Sequence, residues 1–234
     1  MAPLNVGIPL YNYQALDVVG PLDLLSSGTK ESAALLNQFC PTNEEASANV
    51  QFTMHHIGLT REPVQLSAGL SMVPTCTVDD VPELDIMLLG GPDPSAVPDP
   101  RFVALIQAHV AAGKLLFTTC TGAAVAAAAG VLDGRRATVN HMCFEVVKKL
   151  FPKVEWTMET KWVEDGNIWT AGGAVAGMDM VAHWIKQRYE ADVLKLALQT
   201  LDYEPRDVHG VLSVVPLRYD AAGKQIATHD FKFV

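Results

Sequence analysis

Short hydrophobic segments that run directly into turns or helices constrain the fold of this chain more than any other feature. Ile86–Leu89 ends at Gly90-Gly91-Pro92, and Leu115–Thr119 is followed at once by Cys120 and the small-residue segment Gly122–Ala129. A strand tolerates hydrophobic residues on both of its faces only where both faces of the sheet are covered. The pattern therefore predicts an α/β fold, a three-layer sandwich with a mostly parallel sheet.

The same alternation of strands and helices continues along the chain. Further predicted strands are Leu4–Leu10, Val50–Leu59, Val154–Val163 and Asn167–Thr170, the last two joined by a turn at Glu164-Asp165-Gly166. Predicted helices begin at Leu16 and cover Arg101–Ala112, Gly122–Ala129, Cys143–Phe151 and Ala174 to about Tyr189. Ligands bind such sheets beyond the carboxyl ends of the strands, so the loops after those ends are where we expect chemistry.

Length and charge limit the domain organisation and the partners. The chain has 234 residues, of which 49% are hydrophobic, and a net charge of −9. Domains usually contain about 100–200 residues, which favours a single domain over residues 1–234. A negative protein without a basic patch has no general attraction for nucleic acid or anionic membranes. We therefore expect no nucleic-acid partner and no membrane partner.

The cysteine pattern indicates a reducing compartment and argues against a structural metal site. The four cysteines, Cys40, Cys76, Cys120 and Cys143, show neither a C-x-x-C pair nor zinc-finger spacing with histidines. The amino terminus lacks the basic and apolar regions of a signal peptide. We therefore predict a cytoplasmic protein without a metal or a disulfide framework.

Cys120 lies where a buried strand turns into a helix, which is the outline of a nucleophile elbow. Such a turn exposes the sulfur above the sheet edge, and the start of the following helix favours the thiolate. From this position we predict a pKa below that of a free thiol, which is about 8.5. The alternative is a buried, inert cysteine that only packs.

Four motifs in register resemble the ThiJ/PfpI superfamily, which has a class I glutamine amidotransferase-like (flavodoxin-like) fold, and within it the isonitrile hydratase branch. The resemblance runs from about residue 4 to 202 and leaves an extended tail over 203–234. The motifs are the segments 16–21, 88–92, 119–122 and 170–179, which read LDVVGP, LLGGP, TCTG and TAGGAVAGMD.

The resemblance implies roles for individual residues. Cys120 takes the place of the nucleophile, Asp17 that of the acidic residue beside it, and Gly90 and Gly91 would supply backbone N–H groups beside the sulfur. Thr121 could hydrogen-bond the substrate or a water molecule. The structural alternatives are an N-cap for Asp17, a plain tight turn for the glycines, and an ordinary first-turn helix residue for Thr121.

The histidine that many superfamily members carry about twenty residues after the cysteine is replaced here. The ungapped count places Asn140 at that position, and His141 follows one residue later. A shift of one residue at a strand end turns the side chain to the other face, which makes His141 a weak candidate. No His-Pro-Glu segment follows, so an amidotransferase triad is not expected.

The resemblance implies a homodimeric, cofactor-independent hydro-lyase that adds water to an isonitrile, a small-molecule substrate, to give an N-substituted formamide. One alternative is a glyoxalase-like enzyme for reactive carbonyls such as methylglyoxal. The other is a non-enzymatic module that senses redox state or binds a small molecule through Cys120.

Overall fold

The computed structural model describes residues 2–212, Ala222 and Lys224. Most of the predicted tail, 203–234, therefore lies outside the described residues. The chain divides into two compact units. One consists of Leu4–Gly20 and Thr53–Gly177, and the other includes Pro21–Phe52 and the chain from Met178 onward. The first unit contains the main sheet and Cys120.

Seven strands form the main sheet, in the order β10-β11-β7-β6-β1-β2-β5. The pairs β1/β6, β6/β7, β7/β11 and β2/β5 are parallel, and β10/β11 is antiparallel. Two small sheets, β3/β4 and β8/β9, accompany it. The strands are β1 (Leu4–Pro9), β2 (Phe52–Gly58), β3 (Val64–Gln65), β4 (Ser71–Met72), β5 (Cys76–Thr77), β6 (Ile86–Leu89), β7 (Leu115–Thr119), β8 (Arg136–Ala137), β9 (Glu155–Trp156), β10 (Trp162–Asp165) and β11 (Ile168–Ala171).

The helices alternate with these strands, as the hydrophobic pattern predicts. They are α1 (Leu16–Ser27), α2 (Lys30–Leu36), α3 (Glu44–Ser47), α4 (Pro100–Ala111), α5 (Gly122–Ala128), α6 (Phe144–Leu150), α7 (Ala174–Arg188) and α8 (Ala191–Thr200). In the part of the chain that the structure describes, no helix combines the length and apolar character needed to cross a lipid bilayer.

The sequence locates most elements but not the segment around Trp156. The strands β6 and β7 have the predicted bounds, and β10 and β11 form an antiparallel pair joined at the predicted turn. The long strand predicted over Val154–Val163 is wrong, because Glu155 and Trp156 pair with β8 in a separate sheet. Helix α8 is an addition to the predicted elements.

Close packing between β6, β7 and α5 brings the predicted site residues together. Leu89 pairs with Thr118, so β6 and β7 end at the same edge of the sheet. A Cβ atom on Gly122 would lie 2.3 Å from the carbonyl oxygen of Leu89, so only glycine lets α5 start this close to β6. The turns that follow the two strands, at Gly90-Gly91 and at Cys120, are therefore neighbours.

Candidate active site

Cys120 forms a strained turn between β7 and α5. Its φ is +59°, a left-handed conformation that is uncommon for a residue other than glycine. Its backbone N–H donates to the carbonyl oxygen of Ala171 at 2.9 Å, which keeps the turn attached to β11. The residue is 9% exposed. This geometry agrees with the predicted elbow, because an ordinary packed cysteine needs no strained backbone.

Asp17 is fully buried in the first turn of α1. Its Oδ2 accepts the backbone N–H of Gly91 at 2.8 Å, whereas Oδ1 has no hydrogen-bond partner among the described residues. Burial raises the pKa of this carboxyl from 3.8 to about 6, against the smaller opposing effect of the Gly91 N–H. The N-cap alternative is wrong, because α1 already begins at Leu16 and the carboxylate binds a different segment.

Gly91 holds Asp17 in place and is not a free anion donor, as its N–H is already donated to Oδ2. This corrects the predicted role of its N–H beside the sulfur. A Cβ atom on Gly91 would lie 2.6 Å from the nitrogen of Thr121 and 2.8 Å from Asp17 Oδ2. Gly91 therefore lets Asp17 and the start of α5 approach each other from its two sides.

Gly90 is surrounded by side chains of the loop after β1. A Cβ atom there would lie 2.9 Å from the ring of Tyr13, and the Gly90 carbonyl accepts the Tyr11 hydroxyl at 2.8 Å. Burial and the charge of Asp17 raise the pKa of both tyrosines, so both hydroxyls stay protonated. Apart from their position in a loop where chemistry was expected, no sequence signal marks these two tyrosines.

The pKa of the Cys120 thiol is raised, which contradicts the prediction from its place before a helix. Burial is the largest cause and the negative charge of Asp17 is the second. Hydrogen bonds from the Thr121 backbone and the Asn140 amide lower the pKa but do not outweigh these two.

Asn140 contacts the sulfur, and His141 does not take that place. The Asn140 Nδ2 donates to Cys120 Sγ at 3.3 Å, and its Oδ1 accepts the backbone N–H of Met142 at 3.0 Å. The second bond fixes the amide so that its N–H₂ group faces the sulfur. His141 follows in an exposed short 3-10 turn over His141–Cys143. The count of twenty residues from the cysteine was the only sequence signal for this contact.

Thr121 links the elbow to the loop after β6. Its hydroxyl donates to the carbonyl oxygen of Pro92 at 2.5 Å, and it makes no capping bond to α5. The hydroxyl oxygen keeps lone pairs that can accept a hydrogen bond from a water molecule or a substrate. Thr121 therefore differs from an ordinary residue at a helix start, because its hydroxyl binds another loop and not the helix backbone.

The site consists of a thiol, a carboxyl, an amide and a hydroxyl. Within the described residues, no group of three or more His, Cys, Asp or Glu side chains is placed to hold a metal ion. All four cysteines are free thiols. Groups of these types are the ones that nucleophilic attack by sulfur with proton transfer through a carboxyl requires.

A family comparison agrees with this arrangement, since the sequence model of the DJ-1/PfpI family matches residues 11–187. The chain belongs to the DJ-1/PfpI family. This confirms the superfamily and the class I glutamine amidotransferase-like α/β fold that the motifs indicated. A structure of a ThiJ/PfpI family protein from Pseudomonas syringae shares the fold, with a TM-score of 0.70 and 22% identity over 97% of this chain and 82% of that one.

Named relatives of this DJ-1/PfpI protein include an enzyme and a regulator. Isonitrile hydratase from Pseudomonas putida is 28% identical over 86% of this chain and 79% of its own length. The HTH-type transcriptional regulator GbdR of Pseudomonas aeruginosa strain UCBPP-PA14 is also 28% identical, over 68% of this chain. The chain spans only 44% of the length of that regulator.

Proposed function

We propose that this protein is a cofactor-independent hydro-lyase that adds water to an isonitrile and releases an N-substituted formamide. The proposal rests on Asp17, a buried carboxyl whose negative charge raises the pKa of the Cys120 thiol and whose Oδ1 has no partner among the described residues. A buried polar atom without a partner is costly in a folded protein and is typical of a site that a reactant completes. The similarity to isonitrile hydratase supports the choice of substrate.

The first step moves the proton of the Cys120 thiol to the substrate carbon through Asp17. Near neutral pH the Asp17 carboxyl, with a pKa of about 6, is mostly ionised, and the Cys120 thiol, with a raised pKa, is protonated. Asp17 Oδ1 accepts the thiol proton as sulfur bonds to the terminal carbon of the isonitrile. Asp17 then gives that proton to the same carbon, which leaves a thioimidate, R–N=CH–S–Cys.

The second step releases the product by addition of water. Water attacks the thioimidate carbon, and Asp17 transfers a proton from the water to the nitrogen. The C–S bond breaks as the carbonyl forms, and the remaining hydroxyl proton returns to sulfur through Asp17. In this step Thr121 accepts a hydrogen bond from the water, and the Asn140 amide stabilises the negative charge on the departing sulfur.

The test is turnover of cyclohexyl isocyanide, followed as N-cyclohexylformamide, with methylglyoxal assayed in parallel. We expect Cys120→Ala to abolish formamide production and Asp17→Asn to lower turnover about 100-fold or more, the usual scale for losing a general acid or base. Asp23→Asn is the control, since Asp23 is an exposed carboxylate on the same helix. Full activity in Cys120→Ala, or turnover of methylglyoxal alone, would contradict the proposal.

A second candidate is a small-molecule-binding module without turnover. The observation that favours it is the similarity to GbdR, an HTH-type transcriptional regulator. The same assay separates the two candidates. Saturable binding of an isonitrile or a formamide without any Cys120-dependent product would favour the module.

We also propose that the protein is a cytoplasmic homodimer. Free thiols at all four cysteines support a reducing compartment. An apolar stripe on and before α6, formed by the exposed side chains Met142, Val146 and Leu150 at a spacing of four residues, supports an interface. Light scattering should give about twice the mass of the 25.3 kDa chain. A monomer at micromolar concentration would refute the dimer.

A further inference from the structure

A cavity of about 380 Å³ lies between the loop after β1 and the loop after β6. Its volume lies at the lower end of the range of roughly 300–1,000 Å³ that is usual for small-molecule sites. Its wall is mainly hydrophobic and includes Leu10, Leu59, Val64, Pro98, Phe102 and Val125.

Residues that line the cavity are bonded to the residues of the site. Pro92 lines it and accepts the Thr121 hydroxyl through its carbonyl. Tyr11 lines it and donates its hydroxyl to the Gly90 carbonyl. Val125 stands four residues after Thr121 on α5, and residues at this spacing share one face of a helix. Two residues of the cavity wall, Pro92 and Tyr11, are therefore bonded directly to residues of the cysteine turn and of the Gly90-Gly91 turn.

The charges around the cavity restrict what it can hold. Of the described residues that line it, none is a lysine, an arginine or a histidine. The one carboxylate in the lining, Asp99, accepts the Arg101 backbone N–H at 2.9 Å and the Arg101 Nε at 3.2 Å. The Arg101 guanidinium at this edge is thus already paired with a carboxylate, so an anionic group would gain little from it. A neutral hydrocarbon group would exchange water for an apolar wall.

We propose that this cavity binds the hydrocarbon substituent of the substrate and selects neutral isonitriles with a bulky alkyl or aryl group. The inference rests on the proposed function, since it places the reactive carbon of an isonitrile at Cys120. The nitrogen substituent then points past Pro92 and Thr121 into the cavity. A small isonitrile would react at the same sulfur without the binding energy that this wall provides.

The first measurement compares substrates on the wild-type protein. One added methylene in an apolar pocket changes specificity by roughly 10-fold or more, so kcat/KM for cyclohexyl isocyanide should exceed that for methyl isocyanide by at least about 10-fold. Isocyanoacetate, which carries a carboxylate, should also be disfavoured against cyclohexyl isocyanide. Equal values for the methyl and cyclohexyl compounds, or a preference for isocyanoacetate, would overturn the subsite while leaving hydration intact.

The second measurement uses a variant in which a larger side chain at an exposed position partly fills the cavity. Ala96 lies on an exposed loop and lines the cavity, so Ala96→Phe adds a ring there without entering the core. The ratio of kcat/KM for cyclohexyl over methyl isocyanide should fall by about 10-fold. Ala111→Phe is the matched control, because Ala111 is exposed at the end of α4 and does not line the cavity. An unchanged ratio in Ala96→Phe would overturn the subsite.

If no isonitrile is turned over, the proposed function fails and the subsite is tested by binding. N-cyclohexylformamide should then bind the wild-type protein in calorimetry and bind Ala96→Phe about 10-fold more weakly. Binding with that loss would retain the subsite without hydration. Absence of binding, or equal binding to both proteins, would overturn the subsite as well.

Discussion

Among the residues that the structure describes, two carboxylates are buried, one in each compact unit, and their surroundings differ. Asp179 on α7 accepts the Arg206 backbone N–H at 2.8 Å and the Arg206 Nε at 2.9 Å, and also the Tyr203 hydroxyl, so both of its oxygens are satisfied. Asp17 has one hydrogen bond, from Gly91, and an Oδ1 without a partner among the described residues. Both side chains are almost completely inaccessible to solvent.

The difference distinguishes a carboxylate that stabilises the fold, Asp179, from one that can take part in proton transfer, Asp17. A buried carboxylate paired with a guanidinium and further donors holds two segments together, and it needs nothing from outside the protein. A buried carboxyl with few donors keeps a raised pKa and can exchange a proton near neutral pH. We therefore expect substitutions of Asp179 to alter stability and substitutions of Asp17 to alter proton transfer.

The largest expected effect is on the unfolding of Asp179→Asn. The amide would turn an N–H₂ group toward a guanidinium or a hydroxyl donor and leave Arg206 without its counter-charge. Removing one partner of a buried ion pair costs roughly 3–5 kcal/mol, and the partial exposure of Arg206 favours a value of about 3 kcal/mol. The free energy of unfolding in urea measures this loss.

The matched control is Asp192→Asn, at an exposed carboxylate in the first turn of α8. Such surface changes usually stay within about 0.5 kcal/mol. Equal free energies of unfolding for Asp179→Asn and Asp192→Asn would contradict this prediction. Asp179 would then contribute no more to stability than an exposed carboxylate does.

The next effect is the pH dependence that Asp17 adds to stability. Its pKa is raised from 3.8 to about 6, so between these pH values the folded state binds more protons than the unfolded state. Stability from this group therefore falls as pH rises through that window, by about 3 kcal/mol in total. Asp17→Asn should lack this fall, so its stability relative to wild type should increase from pH 4 to pH 7.

Urea unfolding of both proteins at several pH values gives the difference between their free energies of unfolding. The histidines and the other carboxyls titrate equally in the two proteins, so their effects cancel in this difference. A constant difference between wild type and Asp17→Asn would mean that Asp17 has an ordinary pKa when folded. The contrast with Asp179 would then be lost.

Features encoded within a few consecutive residues could be predicted from the sequence. The elbow is one, since the strand, the cysteine and the small residues of α5 all lie within 115–128. The partnership of Cys120 with Asp17 needed the resemblance to a family, because the chain between them is long. The raised thiol pKa could not be predicted, since a helix start is visible in sequence and burial beside a carboxyl is not.

Contacts made by loops and by distant segments were the least predictable. Asp179 belongs to one of the motifs, but its partners Tyr203 and Arg206 lie in the segment predicted to be a tail. The cavity is formed partly by the loop after β6, which has no periodic pattern. The choice between Asn140 and His141 depended on a turn geometry that only the structure supplies.

The smallest expected effect is on the reactivity of Cys120 in variants of Asn140. Asn140 and Asp17 shift the pKa of the Cys120 thiol in opposite directions. Its amide lowers the Cys120 pKa, whereas Asp17 raises it. Asn140→Ala should therefore slow alkylation of Cys120 by iodoacetamide at pH 8 by about 5-fold, or about 1 kcal/mol, the usual value of one hydrogen bond. Asp17→Asn should accelerate it, because the opposing charge is removed.

Two further variants separate charge from local structure. Asn140→Asp retains an oxygen for the Met142 N–H but places a carboxylate beside the sulfur, so alkylation should be slower than in Asn140→Ala. His141 is exposed and lies one residue away, so His141→Ala should be alkylated at the wild-type rate. Asp179→Asn should also be alkylated at that rate, provided that it is folded. If His141→Ala slows the reaction as much as Asn140→Ala, the effect comes from the turn and not from the amide. The hydrogen bond to the sulfur would then have no part in setting the reactivity of Cys120.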